Sequence, residues 1–228
     1  MQAADNILKL RQLLEARLPH VRVGWREAPP ALEAVPSGIP ALDVLLEGGF
    51  PRGEFTEVVG TGDGSGSAQV LHALLRRVAA DGQFLALVDG ADSFDVQAED
   101  RDTLSHLLWV RCTSADEAFK AADLLLRDRN FPLVVMDLKL NPATQLRKVS
   151  ASVWYRWARL LEQNQTTVVI ISPFSVVSGA ACRVELDSRL GIETLSQSPA
   201  EVAGRLRFTL QRSATAAATD SGETRRTG

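Results

Sequence analysis

Apolar residues gather into short unbroken runs along the middle of the chain: FTEVVG (Phe55 to Gly60), FLALVDG (Phe84 to Gly90), LLWVRC (Leu107 to Cys112), LVVMDL (Leu133 to Leu138) and TVVIISP (Thr167 to Pro173). Runs of this length read as strands, and most are continuous rather than alternating, the pattern of a sheet buried on both faces. Between them the apolar spacing turns helical. Val70, Leu71, Leu74, Leu75 and Val78 fall on one stripe; so do Ala118, Phe119, Ala122, Leu125 and Leu126, and Val153, Trp154, Trp157, Leu160 and Leu161. Ser114, three residues before Glu117, predicts a capping box at the start of the second of these helices. Strand and helix alternating at this spacing imply right-handed crossovers and an α/β fold with a mainly parallel central sheet.

The pattern changes after Pro173. Cys182 to Asp187 and Arg205 to Gln211 read as strands with no convincing helix between them, so the sheet is expected to finish in antiparallel pairing. At the other end, Ile7, Leu10, Leu14 and Leu18 mark an amphipathic helix followed by the proline- and alanine-rich REAPPALEAVP. The closing SATAAATDSGETRRTG is small, polar and aperiodic, which predicts disorder. The expected organisation is therefore a helix and linker over 1–34, a core over 35–212 and a disordered tail over 213–228.

Composition narrows the function classes. A 228-residue chain, 45% hydrophobic and 23% charged with a formal net charge of −3, argues against a protein that grips nucleic acid through a broad basic face. Cys112 and Cys182 lie far apart in apolar stretches, and MQAADNILKL lacks a leader pattern, so neither a disulfide scaffold, nor secretion, nor a cysteine metal site is expected. No apolar run reaches the length of a membrane span, and a cytoplasmic location follows as the expectation.

The candidate chemistry sits in VVGTGDGSGSAQVLHALLRR, which reads as strand, glycine-rich turn and helix. Gly60, Gly62, Gly64 and Gly66 alternate just before the helix, where backbone N–H groups and the helix dipole can cradle phosphate. A nucleotide-hydrolysing loop also needs a lysine after its last glycine and then a hydroxyl for magnesium. Ser67 and Ala68 hold those places, and the loop is one residue longer than usual. A dinucleotide fingerprint is matched only by forcing Gly62, Gly64 and Ser67 onto it, with Asp89 as the distant acid; a ligand-free turn is the plain alternative. Asp137 closes LVVMD where a magnesium-ordering carboxylate would sit, and equally where a strand-end turn residue would.

Other groups offer less. Asp89, Asp92 and Asp95 could chelate a cation but suit helix capping better. His20, His72 and His106 share no catalytic spacing. In QLRKVSASVWYRWARLL, Arg147, Lys148, Arg156 and Arg159 interleave with Trp154, Tyr155 and Trp157, as a base-stacking surface would, yet the tryptophans share an apolar stripe and fit the core.

These residues carry a resemblance. VPSGIPALDVLLEGGFPRGEFTEVVG is similar to the entry of the RecA-type recombinase core, and the likeness continues through FLALVDGADSFD, TSADEAFKAADLLLRD, LVVMD and TVVIISP, from about Val35 to Arg212. With its short length and degenerate loop the chain resembles most the ImuA family, RecA-like accessory proteins of bacterial translesion mutagenesis, with SulA-related cousins. The resemblance implies a RecA-like fold. It also implies departures: Ser67 and Ala68 for the loop lysine and threonine, Ala91 for the catalytic glutamate, Pro173 for the allosteric glutamine, and shortened DNA-holding loops. The expectation is a non-hydrolysing protein of the SOS damage response without cofactor, metal or catalytic residue, in which Gly60, Gly62, Gly64, Gly66, Ser67 and Asp137 are vestiges of a phosphate site. Its implied partners are RecA and an ImuB-type polymerase-like protein, and through it an error-prone replicative polymerase. A nucleotide-dependent ATPase with an unusual loop and a SulA-like division inhibitor are the alternatives.

Overall fold

In the computed structural model, which describes residues 34–212, the apolar runs form adjacent strands because each has two faces to bury. Ala34–Val35 (β1) pairs antiparallel with Phe50–Pro51 (β2), and Pro40–Leu45 (α1) lies between them. Then follow Phe55–Gly60 (β3), Ser67–Ala80 (α2), Leu85–Asp89 (β4), Arg101–Leu104 (α3), Leu107–Arg111 (β5), Ala115–Asp128 (α4), Leu133–Asp137 (β6), Ala143–Leu146 (α5), Ala151–Asn164 (α6), Thr167–Ser172 (β7), Cys182–Leu186 (β8), Pro199–Gly204 (α7) and Phe208–Arg212 (β9). The main sheet has the order β5-β4-β6-β7-β3-β8-β9 and is parallel up to β8. Within this sheet only β8 and β9 pair antiparallel. This is the α/β, mainly parallel architecture with antiparallel C-terminal strands that the sequence predicts.

Alternation along each strand divides the core. Leu85, Leu87, Leu133, Val135, Val169 and Ile171 pack on one side with Val70, Leu71, Leu74, Leu75 and Val78 of α2. Ala86, Val88, Val134, Met136, Val168 and Ile170 pack on the other with Ala118, Ala122 and Leu126 of α4 and Trp154, Trp157 and Leu161 of α6. Runs that looked uniformly apolar are thus two alternating sets, each facing its own helix layer.

Several details depart from the sequence reading. β5 is an edge strand and half-exposed, since only β4 pairs with it. Ser114 caps α4 by accepting from the Glu117 amide, but the Glu117 carboxylate turns to the Thr113 amide and hydroxyl, so the capping box is half made. The complete box belongs to Ser198 and Glu201 at α7, a helix the periodicity missed because six small residues carry one buried apolar side chain, Val202. The predicted N-terminal helix (Ile7, Leu10, Leu14, Leu18) and the tail after Arg212 lie outside the described residues.

Candidate functional site

β3 sits inside the sheet, so the glycine loop that follows it opens at the carboxyl ends of the parallel strands. Gly62, Gly64 and Gly66 take φ of +78°, +68° and +92°, the left-handed region in which a side chain is strained. Gly66 is the N-cap of α2 and Ser67 its first residue; no side chain caps this end, and the Gly66 carbonyl accepts from Val70 N at 3.2 Å.

Asp137 ends β6, one strand away from β3, with β7 between them. Its carboxylate accepts from the amide of Lys139 at 3.0 Å. Burial raises the Asp137 carboxyl to about 6, the neighbouring Asp89 charge pushes the same way, and the Lys139 amide and ammonium oppose both. The turn carries Lys139 back over β7: its Nζ donates to the Gly60 carbonyl and, at 3.0 Å, to that of Gly62. Burial lowers the Lys139 ammonium, against the pull of Asp63 and Asp137. Sequence reasoning passed over Lys139, for which the only signal was a lysine two residues past a strand-end aspartate.

A second segment closes on the loop from the other side. The Leu190 amide donates to the Gly64 carbonyl at 2.9 Å. A Cβ on Gly64 would run into the Leu190 carbonyl, and one on Gly66 into the Leu206 side chain; at Gly62 it would meet nothing. Beside this contact is a pocket of about 470 Å³ whose lining includes Asp63, Asp187 and Glu193 against one cation, Arg189. Leu190 and Leu206 had no signal at all, since only the fold brings β8's exit and α7's exit to β3.

Of the other candidates only Asp89, opposite Asp137 on the neighbouring β4, lies beside this cluster. Asp89 is fully buried and accepts from the Ser93 and Phe94 amides and from Trp109 Nε1. Asp92 pairs with Arg111 and Asp95 caps a short 3₁₀ turn, so the three carboxylates do not converge. Among the described residues no group of three or more metal-ligating side chains forms. His72 stacks on Phe94 and bonds Glu99 at 2.6 Å, while His106 bonds the Gln83 carbonyl. Trp154 and Trp157 are both core, edge-on to each other, and only Tyr155 of that segment's aromatics is exposed. Cys112 and Cys182 are buried and form no disulfide, and burial pushes the Cys112 thiol up. No described helix is long and apolar enough to cross a membrane.

No protein-family model matches the chain. It is similar to the protein RecA of Streptomyces ambofaciens, at 26% identity over 219 residues, 82% of this chain and 58% of that one. It matches RecA of a Nocardioides species at 28% over 212 residues (77% and 59%) and RecA of Frankia alni at 26% over 239 residues (90% and 68%). The chain spans about three-fifths of the length of most of these curated relatives.

Proposed function

Starting from a RecA-like chain, distantly homologous to RecA over most of its length, we propose that it is a non-hydrolysing accessory protein of the ImuA type, acting in DNA-damage-induced translesion mutagenesis. On this reading it meets RecA, an ImuB-type polymerase-like protein, or both, through a RecA-like surface, and modulates RecA filaments without turning over nucleotide. The observation that carries the reading is the state of the glycine loop. Its carbonyls hold a lysine from the turn after β6, a backbone amide of the chain closes its far side, and the pocket beside it is lined by three carboxylates and one arginine. A triphosphate would be repelled there, and Ser67 and Ala68 offer it neither ammonium nor threonine hydroxyl.

The magnitude supports the same reading. Phosphoryl transfer rests on positioning and charge stabilisation, and one cationic contributor is worth ~10³-fold or more in rate. Losing the loop lysine and the base together leaves little turnover. Mild net acidity favours protein partners over a nucleic-acid substrate.

The test uses the purified full chain with RecA on single-stranded DNA, and separately with an ImuB-type protein. Stoichiometric addition is expected to change filament assembly or stability, and the partner protein to be retained. Binding to neither, with assembly unchanged, would defeat the proposal. Inhibition of a tubulin-like polymer instead would transfer the function to cell-division control.

A further inference from the structure

We infer that the glycine loop is locked from within by a two-armed clasp: the Lys139 ammonium on the Gly60 and Gly62 carbonyls, and the Leu190 amide on the Gly64 carbonyl. This rests on the non-hydrolysing reading above and adds the device that enforces it. A phosphate loop aims its lysine outward at the ligand. Here the ammonium comes from the turn after β6, and two of its three protons go to backbone oxygens of the loop.

The clasp also accounts for where glycine is needed. Gly64 lacks the Cβ that would strike the Leu190 carbonyl, and Gly66 the one that would strike Leu206. Both contacts come from the segment between β8 and β9, so the loop has become a joint that fastens this connecting segment over the end of β3. Gly62, with open space around it, faces the acidic pocket, where Asp63 adds a negative charge near Lys139. Asp63 and Asp137 favour the lysine's charge, and the carboxylates lining the pocket disfavour an anionic competitor. Two elements distant in sequence, the β6 turn and the β8–β9 segment, thereby close one loop, and opening it requires both to let go.

Hydrogen–deuterium exchange on the full chain tests the clasp, comparing the native protein with Lys139→Met, which keeps the side chain's length without its charge, and with Lys139→Arg. The Leu190 amide, which donates to the Gly64 carbonyl, should exchange at least about tenfold faster in Lys139→Met, with β4, β6 and β7 unchanged, as local rather than global opening requires. Lys139→Arg should retain native protection. A Leu190 rate within about twofold of native in Lys139→Met, or a rise shared by the whole sheet, overturns the clasp. So does slowed loop exchange when inorganic tripolyphosphate is added to the native protein. ATP hydrolysis by the native chain, with the loop still released in Lys139→Met, would overturn the non-hydrolysing reading and uphold the clasp.

Discussion

At the scale of single residues, the three left-handed glycines of the loop differ in what surrounds them, and that difference is measurable. Gly62→Ala meets only the backbone penalty of a positive φ, about 1–2 kcal/mol. Gly64→Ala adds a collision with the Leu190 backbone, which cannot step aside cheaply, and should cost well over ~2 kcal/mol. Gly66→Ala should fall between, because the end of the Leu206 side chain can move. Urea midpoints order the three; equal losses would mean the segment above the loop is not packed as described. Asp137 gives a pH signature. Its carboxyl sits at about 6 in the fold against an ordinary 3.8, so the folded state holds its proton more tightly than the unfolded chain does. Stability therefore falls as pH rises from about 4 to about 6, and the cost of the buried charge is complete above that. Asp137→Asn should stabilise the protein by roughly 1–3 kcal/mol at pH 7.5 and by nothing measurable at pH 3.5. A loss at pH 7.5 would show that the charge is needed where it stands.

At the scale of elements, one buried carboxylate stitches three strands. Glu57, fully buried on β3, accepts from the Val176 and Val177 amides at 2.6 and 3.1 Å, from Ser172 Oγ on β7 at 3.2 Å and from Arg183 Nε on β8 at 2.7 Å. Glu57→Ala would leave two amides and Nε of the largely buried Arg183 without their carboxylate, Arg183 keeping its bond to the Val177 carbonyl. The expected loss is about 3–5 kcal/mol in chemical denaturation, with faster proteolysis within residues 173–181; a loss under ~1 kcal/mol would contradict this. Ser198→Ala, which removes the α7 cap, should cost about 1 kcal/mol. Neither feature was legible in the sequence. Glu57 reads there as a lone polar interruption of FTEVVG, because its partners lie more than a hundred residues away. The strands and three long helices were legible, since their apolar residues repeat at the period of the element that buries them. α7 was not, because a six-residue helix is held by its cap and by Pro199 rather than by an apolar stripe.

At the scale of the whole molecule, the sheet order explains why the candidate site was half readable. Gly60, Gly62, Gly64, Gly66 and Ser67 are contiguous, and Asp137 announces itself at a strand end. Lys139, Leu190 and Leu206 join them only because β6 and β8 flank the β3–β7 pair, a fact of topology that no local pattern encodes. Their arrival turns a loop that sequence alone left as phosphate cradle or plain turn into an internally bonded joint. On the proposed reading, this RecA-like frame keeps its outer surface for partners while its nucleotide face is shut. The most direct test of that account is phosphate release by the purified full chain, with and without single-stranded DNA, beside Asp137→Ala. The account predicts no release above background under either condition and no effect of the substitution; DNA-stimulated turnover abolished by Asp137→Ala would contradict it.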